Sequence, residues 1–170
     1  EENLPVRWAA LLGALGEADT RRVLKRLRCS NACIEETAVL VRETAGEGVC
    51  RSFSEEKASA HPGDIHLRQL LGRYGLRTVE RLCALCAALH PQNAPDCALA
   101  AQRARQLEAD GVCCRVSQLA VNGRDLMAAG IPVGPALRRV LETLLDGVIR
   151  AEYPNEKPAL LAAAQKIIAS

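Results

Sequence analysis

Aromatic side chains make up only 2% of the 170 residues: Trp8, Phe53, Tyr74 and Tyr153. That scarcity narrows the folds open to the chain. Strands favour aromatic and β-branched residues, whereas helices favour Ala, Leu, Arg and Glu. Apolar residues still account for 49%, so a core can form, and it must be built from Leu, Val, Ile, Ala and Cys. The expectation is an all-α fold.

Periodicity places the helices. Residues 4–16 read as a short apolar helix with Pro5 in its first turn and Gly16 at its end. Asp19 and Thr20 are predicted to cap the next helix, "RRVLKRLR". Ser30-Asn31 caps a third, with Ile34, Ala38 and Val41 inward. Residues 44–63 carry no period and read as a loop. Helices follow over residues 64–75, 76–90 and 96–110, and "HPQNAP" separates the last two. An extended piece, "VCCRVSQLAV", leads to a strong amphipathic helix from Pro135. Leu137, Val140, Leu141, Leu144, Leu145 and Val148 form its apolar stripe. A final helix follows "YPNEKP". The break at 90–95 predicts two small helical modules, 1–92 and 93–170.

One stretch stands out: "LAVNGRDLMAAGIPVGPALRRVL", residues 119–141. Its glycines and prolines need no ligand to explain them. Gly130 can end one helix, and Pro135 can start the next without losing a hydrogen bond. The same geometry also suits an anion. A helix start leaves N–H groups unpaired and carries partial positive charge. Gly134 would let a phosphate approach the backbone, with Arg138 and Arg139 beside it. This is a turn like that of a helix-hairpin-helix, which holds nucleic acid by its phosphates and not its bases.

Charge is concentrated rather than global. The net charge is +2 and the pI about 8.2, so any polyanion contact must come from clusters. Arg21, Arg22, Lys25, Arg26 and Arg28 form one such cluster, with a solvated helix face as the plain alternative. The shortage of aromatics argues against base stacking on single strands. The eight cysteines read as packed thiols in a reducing cytoplasm, including the pair in "CALC" at 83–86. No metal site is expected, and no apolar run nears the roughly 20 residues of a membrane span.

The residues from Asn122 onward resemble the C-terminal end of bacterial CCA-adding enzymes, the tRNA nucleotidyltransferases. The similarity rests on "NGRDL" (Asn122, Gly123, Asp125, Leu126), on Gly130 and Gly134 before a long helix, and on Asn155, Glu156, Leu160 and Leu161. It extends upstream through "LPVRWAALLGALG" and "VLKRLRCSNACIEETAVLVRE" and is weakest over 44–63 and 90–115. Many relatives carry a His-Asp pair in "ALLHDIG". Here Gly13-Ala14 stands in its place, and neither residue can ligate a metal. His61, Asp64 and His66 are not expected to rebuild that site.

The resemblance implies a non-catalytic, tRNA-binding body (1–92) and tail (93–170) that grip the tRNA backbone while an N-terminal head adds nucleotides to the 3′ end. The Gly-Ser loop and paired carboxylates of that head are not found in this chain. Because the chain starts at Glu1 and its one methionine is Met127, the head is expected before Glu1, where Mg and ATP or CTP would act. The chain itself is then expected to need no cofactor and to be cytoplasmic. Contact residues on this reading are Arg21, Arg22, Lys25, Arg26, Arg28, Asn122, Gly123, Arg124, Gly134, Arg138 and Arg139. The competing readings are a helical protein–protein adaptor docking through the Leu144-Leu145-Val148 face or the last helix, and a degenerate phosphohydrolase kept as a regulator.

Overall fold

The computed structural model describes residues 3–45 and 64–169; the expected loop at 44–63, His61 included, lies almost wholly outside them. The described residues are helical, with no strand among them. They divide into two units, Glu1–Asp110 and Gly111–Ser170.

The first unit contains α1 (Leu4–Leu12), α2 (Gly16–Arg26), α3 (Asn31–Thr44), α4 (Asp64–Tyr74), α5 (Leu76–Leu89) and α6 (Ala94–Ala109). Pro5 sits in the first turn of α1, and Ser30 caps α3 by accepting from the Cys33 N–H at 3.3 Å. α1 packs on α3 and α5, and α2 on α3. Leu24, Leu40, Leu71, Leu82 and Leu85 are wholly buried, each contributing about 2 kcal/mol by leaving water. Charged α3 side chains are tied to neighbouring helices. The Tyr74 hydroxyl donates to Glu43 at 2.7 Å and accepts from Arg42 at 2.8 Å, joining α4 to α3. Buried Arg81 on α5 pairs with Glu36 on α3.

Two expectations are corrected here. Asp19 and Thr20 do not cap α2, which already begins at Gly16. Thr20 is buried inside α2, and its hydroxyl donates to the Leu12 carbonyl at the end of α1, at 3.3 Å, where a cap would instead accept from free N–H groups. The division expected at 92/93 falls inside the first unit. Pro91–Asn93 forms a single 3₁₀ turn that folds α6 back onto α5, so the chain separates only at Asp110 and Gly111.

The second unit contains α7 (Gly123–Ala128), α8 (Pro135–Ile149) and α9 (Lys157–Ala169). Its core joins Leu126, Ile131, Val140, Leu144, Val148, Leu160 and Ala164. Leu137, Leu141 and Leu145 lie against it half-buried, so the expected stripe of α8 is the one that packs. Tyr153 lies on Gly147 of α8, where a Cβ would run into its ring, and its hydroxyl donates to the Thr143 carbonyl at 3.3 Å. The adaptor reading of the Leu144-Leu145-Val148 face fails on this packing. Leu144 and Val148 are buried within their own unit, as are Leu160 and Ala164 of α9.

Candidate nucleic-acid interface

α7 begins on a side-chain cap. The Asn122 side chain accepts from the N–H groups of Arg124 (2.9 Å) and Asp125 (3.2 Å). The Asp125 carboxylate accepts in return from the Asn122 N–H at 3.0 Å. This reciprocal capping box occupies three backbone donors that would otherwise lack a local partner. Lys157, at the start of α9, donates to Asp125 at 2.6 Å. Its ammonium, followed by the Asn122 backbone N–H, holds the Asp125 carboxyl below the ordinary aspartate value. Asn155 supplies a second tie: its amide donates to the Gln118 carbonyl at 2.9 Å and accepts from the Ala120 N–H at 2.8 Å.

α7 ends in a Schellman motif. The Ile131 N–H bonds the Leu126 carbonyl at 3.1 Å and the Gly130 N–H bonds Met127 at 3.0 Å. Gly130 takes φ 92°, the left-handed conformation this ending requires. The chain then turns through Pro132 and Val133, and Val133 is 79% exposed.

α8 begins differently. Its cap is Gly134 at φ 133°, with no side-chain hydrogen bond, and its first turn holds no acidic residue. A Cβ built on Gly134 would meet no atom within 4 Å, so the space before the helix is open. Arg138 and Arg139 are exposed. Arg138 donates to Glu142 one turn on, at 2.8 Å, with its side chain 83% exposed. Arg139 and Arg124 make no ion pair among the described residues. Gly123 touches Leu137, with the position of a Cβ 3.4 Å from Leu137 Cδ2. That contact brings the start of α7 against the first turn of α8, with Arg124 and Arg138 as its chain neighbours.

The residues proposed from sequence therefore separate by role. Gly134, Arg138 and Arg139 lie exposed at the start of α8, and Arg124 lies exposed at the start of α7, which Gly123 brings against Leu137. Asn122 has its side-chain oxygen occupied by its own helix, and Gly123 is a packing contact. The missed residues are Asn155, Lys157 and Asp125, which hold this corner together. Spacing alone could not reveal Asn155 and Lys157, whose partners lie more than thirty residues away, whereas the Asn122–Asp125 spacing is itself that of a capping box.

The first unit shows the same sorting along α2. Arg21 donates to Glu17 at 3.1 Å and to Glu35 at 2.5 Å, so it clasps α2 to α3. That contact lowers the Glu35 carboxyl from its ordinary value. Arg22 pairs with Asp19 at 2.8 Å. Lys25, Arg26 and Arg28 are exposed and make no ion pair among the described residues. Arg28 takes φ 56° just past the end of α2, a conformation glycine adopts more cheaply.

The other polar groups point to no reaction. Asp64 is held by Arg103 through contacts of 2.5 to 3.1 Å. His66 is half-buried on α4, and burial lowers its pKa. Burial, then the neighbouring Cys97, pushes the Cys83 thiol up to about 12, far from a reactive thiolate. Cys86 is disulfide-bonded, which corrects its reading as a packed thiol. Groups of three or more His, Cys, Asp or Glu placed to hold a metal are absent among the described residues.

Residues 71–164, more than half of the chain, match the family model described as tRNA nucleotidyltransferase domain 2. The chain belongs to that family. The tRNA nucleotidyltransferase match takes in the starts of α7, α8 and α9 and leaves out α1, α2 and α3. The chain is 31% identical to the CCA-adding enzyme of Limosilactobacillus fermentum over 168 residues, which is 98% of this chain and 37% of that enzyme. It is 56% identical to the CCA-adding enzyme of Levilactobacillus brevis over 45 residues, 26% of this chain and 11% of that enzyme. The matches thus span little more than a third of the Limosilactobacillus fermentum enzyme and about a tenth of the Levilactobacillus brevis enzyme. No solved structure matches it. Among the described residues no helix is long and apolar enough to cross a membrane.

Proposed function

We propose that this chain is the non-catalytic, tRNA-holding part of a CCA-adding tRNA nucleotidyltransferase. It grips the sugar–phosphate backbone while a catalytic head in the same polypeptide adds nucleotides to the 3′ end. Mg and ATP or CTP would act at that head, and no residue of this chain is assigned to them.

The observation that carries the reading is the open start of α8. Its cap is a glycine with open space beside it, its first turn holds no acid, and the exposed Arg138 and Arg139 stand at its start, with exposed Arg124 at the adjoining start of α7. Helix stability favours a side-chain cap and an acid at such a place. Two arginines and a bare glycine stand there instead, an arrangement that suits an incoming phosphate. Lys25, Arg26 and Arg28 on the first unit supply a second, sequence-independent contact of the same kind.

The test is filter binding of an unmodified tRNA transcript across a salt series. Arg138→Ala with Arg139→Ala should weaken binding about tenfold at low salt and flatten the log–log salt slope by roughly two units. The melting curve should not move. Unchanged affinity in the double variant would sink the assignment of this corner.

A further inference from the structure

One face of α8 carries charges at four-residue intervals: Arg138, Glu142 and Arg150, which are exposed, and Asp146, which is half-buried. Side chains four apart lie one above another along a helix, so these form a single stripe. Arg138 donates to Glu142 at 2.8 Å, and Arg150 donates to Asp146 at 2.8 Å. The first turn is therefore positive, reinforced by the helix N-terminus. The next two turns present carboxylates, and positive charge returns only at the far end.

We infer that Glu142 and Asp146 act as an acidic stop one turn inside α8. They confine an RNA phosphate to the open end of the helix and keep the backbone from lying along its side. This rests on the tRNA-holding reading and adds to it the direction of approach, end-on. Glu142 has a further effect. Arg138 must exchange a carboxylate for a phosphate when RNA arrives, so Glu142 lowers the affinity for any polyanion that seats there. The exchange is easy, because an exposed pair of this spacing is weak.

Three variants of the full chain test this against the tRNA transcript and a plain 20-base-pair RNA duplex. Glu142→Gln should tighten binding of both about threefold and leave the melting curve in place. Glu142→Gln with Asp146→Asn should also steepen the salt slope by about one unit, as a further phosphate settles along the helix. Glu142→Asp keeps the carboxylate and should bind as the parent does. Equal or weaker binding by Glu142→Gln overturns the inference, because Glu142 would then be positioning Arg138 rather than restraining it. If Arg138→Ala with Arg139→Ala weakens binding while Glu142→Gln does not tighten it, only the acidic stop is lost. If neither variant changes binding, the reading of the corner and the inference fall together.

Discussion

α7 and α8 follow one another in the chain, yet they begin in opposite ways. α7 starts on Asn122, whose side chain satisfies two N–H groups, and Asp125 returns the bond. Lys157 then neutralises that carboxylate from outside. α8 starts on Gly134, with no side-chain acceptor, no acid in its first turn and two exposed arginines. The first arrangement uses up its donors internally and serves stability. The second leaves them facing solvent, at a cost in stability that an anion can offset. Two helix starts brought together by the Gly123–Leu137 contact thus divide the labour: one anchors the corner and the other presents it.

The sharpest way to break this contrast is at Gly134. Its φ of 133° is strained for any residue with a Cβ, although the space around it is empty. Gly134→Val should cost about 2 kcal/mol through backbone strain and also weaken tRNA binding. Thermal melting by circular dichroism checks the first effect and filter binding the second. Normal values for both would mean that the start of α8 is freely adaptable and not a built feature.

A smaller effect is expected at Asn122. Replacing it with alanine removes the cap of α7 and should cost about 1 kcal/mol. Affinity for tRNA, measured well below the melting temperature, should hold. A loss of affinity larger than the loss of stability explains would place Asn122 against the RNA, and both helix starts would then belong to the interface.

The smallest effect is the acid response of α7. The Asp125 carboxyl titrates below its ordinary value in the folded chain. A depressed carboxylate adds stability above the unfolded pKa of about 4, and that stability is lost as pH falls through the folded value. The parent chain should therefore lose stability between pH 5 and pH 2.5 more steeply than Asp125→Asn does. Parallel curves in urea melts across that range would remove the Lys157–Asp125 contact from the account.

Much of the fold was legible because helix periodicity is local. The stripe of α8, the Ser30 cap and the inward Ile34, Ala38 and Val41 all follow from spacing within one helix. What spacing could not show were bonds between distant residues. Thr20 looked like a cap and instead donates to Leu12. Arg21 looked like a free contact residue, but Glu17 and Glu35 occupy it. The motif residues Asn155 and Asp125 carried the resemblance without revealing their work, since Asn155 meets Gln118 and Ala120 only after folding. The break at 90–95 held the strongest turn signals in that part of the chain. Two helices of one unit can meet at such a turn as readily as two units can, and only the packing of α5 on α6 decides between them.

Trp8, the sole tryptophan, lies against Leu12, Leu24 and Ile34 in the first unit. The second unit has Tyr153 as its one aromatic side chain. Tryptophan fluorescence will therefore follow the loosening of one half of this chain and stay dark to the other. A unit that melts early, or RNA settling beside Val133, would pass unseen in such a signal. A dye attached near Val133 would make both events visible.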